Sequence, residues 1–293
     1  MASWQRFKRE HQWRIRELLF TLCLMRRNPS AVAGLAIIAV MAAMALLAPW
    51  LAPCDPVRIS LSERLSPPSS AHLFGTDELG RDILSRIMHG ARISLRIGVM
   101  VVSIAGGLGT FLGAVSGYFG GRLDNFIMRC MDVVLSFPPL VLAMALAAAL
   151  GPGLNNAVMA VAFVMIPKFA RLVRGEALAV RQKPFISAAR VSGAGDLWIV
   201  FHHVVPNCIS SVIVLATLVL GDTILVASSL SFIGLGAQPP SPEWGAMISV
   251  GRKFLMDQWW YATFPGLFIL TTVIGFNIFG DALRDILDPR IRR

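Results

Sequence analysis

The 293-residue sequence is short of charge: 15% of its residues are Asp, Glu, Lys or Arg, where a soluble domain carries about a quarter. The shortage is concentrated in blocks. No charge falls in 28–54, 97–121, 133–167 or 258–280, and 208–230 holds a single acid, Asp222. Catalytic signatures are missing as well. There is no Walker A loop, no HExxH and no CxxC, and Gly107-Leu108-Gly109 does not complete GxGxxG. The four cysteines are scattered, and only Cys54 is expected outside a reducing compartment, which excludes a disulfide framework or a cysteine metal cluster. His202 and His203 are adjacent, so on a helix they diverge by about 100° and do not chelate one ion. These absences leave no ATPase, metal or cofactor chemistry to this chain.

What is present is apolar length. A helix crosses about 30 Å of hydrocarbon with roughly 20 residues, and each charge-poor window is long enough. The window 133–167 exceeds one crossing, and Gly151-Pro152-Gly153 divides it. The reading is all-α, a polytopic membrane protein with six transmembrane helices. Lys168 and Arg171 are expected to snorkel at the end of the fourth span. The net charge of +10 would suit nucleic acid, but the basic residues sort by loop. With the N-terminus inside, the inner segments hold 19 Lys or Arg and the outer segments 54–92 and 237–258 hold 7. This positive-inside pattern places both termini in the cytoplasm, and makes lipid headgroups rather than nucleic acid the partner of the charge.

Residues 1–30 read as a basic amphipathic segment on the inner leaflet, and 31–53 as an uncleaved first transmembrane helix. The external loop 54–92 begins as Pro- and Ser-rich coil. It then predicts a short amphipathic helix along the outer membrane surface, with Thr76 as N-cap and Leu79, Ile83 and Ile87 on one face. Residues 93–283 form a five-helix core with a cytoplasmic loop at 181–207, and 284–293 a cytoplasmic tail. Gly109, Gly113 and Gly117, four apart, predict close helix packing within the chain. Polar residues inside spans are functional candidates: Asp222, followed by Ser228 and Ser229, and Asn277 in the last span. Asp222 either lines a hydrated pathway or bonds a neighbouring helix. Arg129 and Asp132, three apart, predict an ion pair. Outside, Pro239, Glu243 and Trp244 belong to a stiff loop suited to a gate or a docking surface, ahead of a membrane-interface belt at Trp259, Trp260 and Tyr261.

The segment 183–207 reads as a helix, a glycine-flanked turn and a second amphipathic run ending at Pro206. Ser187, Ala188 and Ala189 give its first helix a smooth face that fits a partner's groove. The spacing is similar to the signature loop of ABC-importer permeases: EAA, three residues, Gly, nine residues, Ile-x-Leu-Pro. Ser187-Ala188-Ala189 takes the first place, Gly193 the glycine and His203-Val204-Val205-Pro206 the close. Ser187 departs from the family's Glu and His203 from its Ile, which removes any argument from a Glu salt bridge to the partner. FGTDELGRDILSR (74–86), GYFGGRLDNFIMRCMDVVLSFP (117–138), IPKFARLVRGEAL (166–178), LSFIGLGAQPPSPEWGAM (230–247) and FNIFGDALRDILDPR (276–290) extend the likeness along the chain past residue 28.

The chain thus resembles the C-type permease subunit of dipeptide and oligopeptide ABC importers, nearest the dipeptide, D,D-dipeptide and glutathione members. The resemblance implies a type I importer permease in a bacterial inner membrane. Its implied partners are a homologous B-type permease, two cytoplasmic ATPases that use ATP and Mg, and an extracytoplasmic peptide-binding protein. It also implies contact with the ATPases through the 185–206 loop, at Phe185, Ser187, Ala188, Ala189, Gly193, Gly195, Val205 and Pro206. Two readings of other classes stand beside it. A stand-alone ion-coupled carrier would use Asp222 as its coupling group, and a membrane scaffold would tolerate replacement of its polar span residues.

Overall fold

A computed structural model describes residues 24–287; most of the basic amphipathic segment 1–30 and the last six residues of the tail lie outside the described residues. The described chain is helical, with no β-strand beyond one isolated bridge between Thr76 and Asp82. The first helix, α1 (Pro29–Leu51), starts where Asn28 accepts hydrogen bonds from the Ser30 and Ala31 amides. Pro29 at its first position lacks only a donor that the helix would leave free in any case.

The second helix, α2 (Ile83–Phe119), runs 37 residues without interruption. The amphipathic segment expected on the outer membrane surface is therefore the first part of this same rod. The reason is in its buried stripe. Ile83, Ile87, Ala91, Ser94, Gly98 and Val101 follow one another at helical spacing, so the face that packs inward does not change at residue 92. The N-cap is Asp82, whose carboxylate accepts from the Ser85 amide, and not Thr76. Thr76 is buried instead and ties the preceding loop, donating to the Glu63 carbonyl at 2.5 Å and accepting from the Ser66 amide at 2.8 Å.

The third span differs from expectation. Helices α3 (Gly121–Leu135) and α4 (Pro139–Leu150) meet at a bend of 91°. Pro138-Pro139 forces it, because a residue before proline avoids the helical region and proline donates no hydrogen bond. The 12 residues of α4 rise only about 18 Å, short of a crossing. Among the described residues five helices are long and apolar enough to span a membrane, and six spans result if the bent pair counts as one. The break at 151–153 stands as expected, and α5 (Leu154–Arg181) follows it.

Beyond α5 come the short helices α6 (Pro184–Val191) and α7 (Asp196–Ile199), a π-helical stretch over Val200–Val204, and α8 (Val205–Ile233). Asp196–Ile233 is one continuous helical rod of 38 residues, so Pro206 does not start the span. Proline cannot donate to the carbonyl four residues back. The turn before it widens accordingly, with the Val205 amide bonding Val200 O five residues away. Helices α9 (Trp244–Gly251) and α10 (Trp260–Leu287) complete the chain.

The spans associate by close approach of small residues. Along α2, a Cβ added at Gly109 would lie 2.5 Å from Phe169 Cβ, and one at Gly117 2.7 Å from Ala177 Cβ, both on α5; Gly113 faces the Ala170 carbonyl equally closely. This is the intramolecular seam that the four-residue spacing predicts. Around it Val101, Ala105, Val161 and Phe169 form the central core, with separate clusters at the two ends.

The outer end is closed by an ion network. Arg81 bonds Asp77 at 2.6 Å and Glu78 at 3.1 Å, Arg86 donates to the Pro56 carbonyl at 3.0 Å, and the Tyr261 hydroxyl donates to Glu78. Two of the three outer-loop candidates sit inside this cap. Trp244 is fully buried, with its indole N–H donating to the Ile87 carbonyl at 3.0 Å. Glu243 is equally buried and caps α9, accepting from the Ala246 amide at 2.9 Å and the Ser228 hydroxyl at 3.1 Å. Only Pro239 remains at the surface. Burial removes Glu243 and Trp244 from a docking surface and makes them an internal clamp between α2, α8 and α9.

Two outcomes follow from this packing. Gly109→Val wedges the α2–α5 seam and should cost about 1–3 kcal/mol, whereas Gly107→Ala, on the same helix with open space beside it, should be neutral. Thermal unfolding of the purified protein distinguishes them, and equal midpoints would remove the seam from its supporting role. For Glu243, burial raises the carboxyl above its ordinary value, opposed by its backbone and serine donors. The folded state thus holds a proton that the unfolded state releases near pH 4.3. Stability from this group is full below that pH and declines as pH rises toward the folded value. Glu243→Gln keeps the acceptor without the charge, so its midpoint relative to the parent should rise between pH 4.5 and pH 7. A difference independent of pH would contradict this.

Candidate coupling and translocation sites

The loop at 181–207 forms a compact hairpin. Pro184 opens α6, and Ile186 anchors it, fully buried beside Tyr118, Val173, Ile199 and Val204. Ser187 and Ala188 stay exposed, and Ala189 is half-buried. The helix ends in a Schellman turn, in which the Ala194 amide donates to the Ala189 carbonyl at 3.1 Å and the Gly193 amide to the Arg190 carbonyl at 3.0 Å. Gly193 takes the left-handed angle this requires, φ +82°, and a Cβ there would meet nothing within 4 Å. Its glycine thus serves backbone conformation and not close approach within the chain. Gly195 has ordinary dihedrals and caps α7; Val205 is half-buried and Pro206 exposed.

Three residues that sequence reading did not single out brace this hairpin. The Tyr118 hydroxyl, at the inner end of α2, donates to Asp196 at 2.5 Å. Arg190 donates to the same hydroxyl at 3.1 Å and lies 4.9 Å from the ring centroid. Phe185, Val191, Leu197, Trp198 and Phe201 are exposed, with Val191 89% open. Of these, Trp198 edges a shallow depression lined also by Ala189, Ser192, Gly193, Ala194, Gly195 and His203. Trp198 stacks on His202 with centroids 4.5 Å apart, which fixes the rim. The result is a small-residue depression beside exposed apolar side chains.

A second constellation runs down α5. Lys168, Arg171 and Arg174 are spaced by three and share a side of the helix. Each holds an acid from another element. Lys168 bonds Asp222 on α8 at 3.1 Å, Arg171 bonds Asp132 at 2.6 Å, and Arg174 grips both oxygens of Asp124 at 2.6 Å each. The Ser116 hydroxyl also donates to Asp124. Asp132 pairs with Arg171, 39 residues away, and not with Arg129 as the three-residue spacing predicts. Lys168 and Arg171 are accordingly paired cations and do not simply snorkel.

The four pathway candidates do not form one cluster. Asp222 is 53% exposed and Ser229, seven residues on, shares its face of α8. Ser228 turns inward to Glu243. Asn277 is half-buried between α8 and α10, its Oδ1 3.2 Å from the place of a Cβ at Gly221. No group of three or more His, Cys, Asp or Glu side chains arranged to hold a metal exists among the described residues.

Comparison with known proteins bears on what this arrangement serves. Residues 109–293 match the family described as binding-protein-dependent transport system inner membrane component, and 25–68 match the N-terminal transmembrane domain of oligopeptide transport permease C. A probable D,D-dipeptide transport system permease protein from Escherichia coli is 52% identical over 91% of this chain and 90% of its own length. A dipeptide transport system permease protein from Alkalihalophilus pseudofirmus is 45% identical over 92% and 88%. A glutathione transport system permease protein from Pectobacterium atrosepticum is 45% identical over 92% and 89%. With spans, exposed hairpin and family in agreement, the chain belongs to the inner membrane permease components of binding-protein-dependent ABC importers, and is a transport subunit rather than an enzyme.

Proposed function

We propose that this chain imports small, dipeptide-like peptides as one half of a permease pair, and that the α6–Gly193–α7 hairpin couples it to two cytoplasmic ATPases. The observation that carries the coupling is the hairpin itself, a braced element with an exposed small-residue floor and apolar rim. Such a surface is costly to leave in water, and in this family a soluble partner is available to cover it. Phe185 stands beside His203 at 5.9 Å between ring centroids, Ser187 and Ala188 form the accessible face of α6, and Ala189 and Gly193 line the depression. Val205 and Pro206 carry the hairpin into the long rod of α8. ATP and Mg belong to the ATPases, and a homologous permease would cover the exposed faces of α5 and α8. A peptide-binding protein delivers cargo from outside. The small-peptide cargo is supported by the names of the relatives, which transport dipeptides, D,D-dipeptides and glutathione. Other solutes handled by such permeases, including nickel chelates and cationic peptides, are the second reading of the cargo. Both termini lie in the cytoplasm, by the distribution of basic residues.

Coupling is tested with Ala189→Trp and Gly193→Val. The first fills the floor. The second imposes a β-branched side chain on a left-handed angle, costing about 1–2 kcal/mol locally. Both should abolish uptake and peptide-stimulated ATP hydrolysis while the protein still inserts, because neither lies in a span. Purifying each variant complex separates loss of ATPase retention from loss of turnover with retention intact. Full activity in both would remove the hairpin from the transmission path.

Orientation is tested by labelling single cysteines from outside whole cells. Variants at Ser69 and Ser241 should react and a variant at Ser187 should not; the opposite pattern inverts the topology.

A further inference from the structure

The pair of Lys168 and Asp222 has a feature that packing does not explain. It joins α5 to α8 at 3.1 Å, yet its side chains are 37% and 53% exposed on the described chain. The outer ends of these two helices are tied together, since the Gly153 amide donates to the Leu235 carbonyl at 3.1 Å. Lys168 lies 14 residues inward from Leu154, and Asp222 lies 11 inward from Ile233. At 1.5 Å per residue both sit about 17–21 Å below those ends, well within a hydrocarbon core about 30 Å thick. Charges open to lipid at that depth are costly, so this face meets water or protein. Ser229 continues the polar face two turns outward, and the Arg171–Asp132 pair continues it one turn inward.

Resting on the peptide-import reading, we propose that Lys168 and Asp222 form an exchangeable charge pair that holds the two termini of a peptide in transit. A peptide with free ends carries one ammonium and one carboxylate. It can enter between the partners, giving its ammonium to Asp222 and its carboxylate to Lys168. Two ion pairs then replace one, and no uncompensated charge arises at membrane depth. A peptide blocked at one end cannot do this, because it leaves one of the two protein charges without a partner. The pair therefore selects for free termini inside the permease, independently of any selection made by the binding protein.

The test uses the intact complex in liposomes, with cognate binding protein and three probes: one dipeptide, its N-acetyl form and its C-amide. Loading of each probe onto the binding protein is first brought to saturation by titration. In the parent, the free dipeptide should be taken up at least ten-fold faster than either blocked form. In Lys168→Met the unpaired acid remains, so the ratio of C-amide to free dipeptide should rise ten-fold or more over the parent. In Asp222→Asn the unpaired cation remains, and the N-acetyl form should gain by the same ratio. Selectivity is compared within each preparation, so a lower yield of folded protein does not affect it. The swapped variant, Lys168→Asp with Asp222→Lys, should restore preference for the free dipeptide. A purely structural pair would lower all three probes equally in both single variants, and that result overturns the proposal. Uptake of none of the probes by an ATP-hydrolysing parent complex would instead overturn the peptide reading itself, and this proposal with it.

Discussion

Lipid chains are as apolar as leucine, so helices in a membrane gain little from burying apolar surface and associate by close van der Waals contact. In this chain such contact runs along α2 and α5, where three glycines let one backbone lie against the other. The consequences extend beyond packing. Once Ile166, Phe169, Ala170, Val173 and Ala177 of α5 are committed to the seam, the rotation of α5 is set. Lys168 and Arg171 must then point away from it, toward acids on α8 and α3. The same seam sets the C-terminal end of α2 beside the 181–207 loop, where Tyr118 can reach both Arg190 and Asp196.

Charge placement shows how a sparsely charged chain uses the little it has. The outer cap is a buried network in which Arg81 bonds Asp77 and Arg86 lies 3.4 Å from the same carboxylate. The inner half of α5 is different, because its pairs are open on one side. Buried pairs hold loops in place, and burial makes them hard to exchange. Open pairs at membrane depth are neutral in sum yet accessible, which suits a face that meets either a second subunit or a charged solute.

Much of this was legible in the sequence because it depends on local rules. Charge-poor windows mark α1, α2, α5, α8 and α10, and the glycine spacing marks the seam. Gly193 at the end of a helical run announces a left-handed cap. What was not legible depends on contacts distant along the chain or on geometry that composition averages away. Asp132 has Arg129 three residues away and takes Arg171, because α3 lies against α5 and only the structure brings them together. The window 133–167 is uniformly apolar, so its composition conceals a right-angle bend at Pro138-Pro139 that the two prolines alone signal. Glu243 and Trp244 resemble loop residues by neighbourhood. The available clue was an acid directly before a short helical run, the position of a cap, which Glu243 occupies.

The geometry also constrains how motion at the cytoplasmic face could travel. A hinge between loop and span would absorb a push from below, but Asp196–Ile233 contains none of the usual length: α7, the π turn and α8 form one rod. Asp196 begins that rod, and Asp222 lies 26 residues along it, about 39 Å at 1.5 Å per residue. Tyr118 bonds Asp196 from the end of α2, so displacement of the hairpin acts on α2 and α8 together. Helix α5 is bound to α2 by the seam, and to α8 by core packing of Val219, Ala227 and Leu230, by the Gly153–Leu235 hydrogen bond and by the Lys168–Asp222 pair. The π turn at Val200–Val204 is the one place in the rod with a non-α register, and it lies between the hairpin and α8. Its five-residue hydrogen bond keeps the rod continuous past Pro206, so a displacement at Asp196 is carried into α8 without a break in the helix.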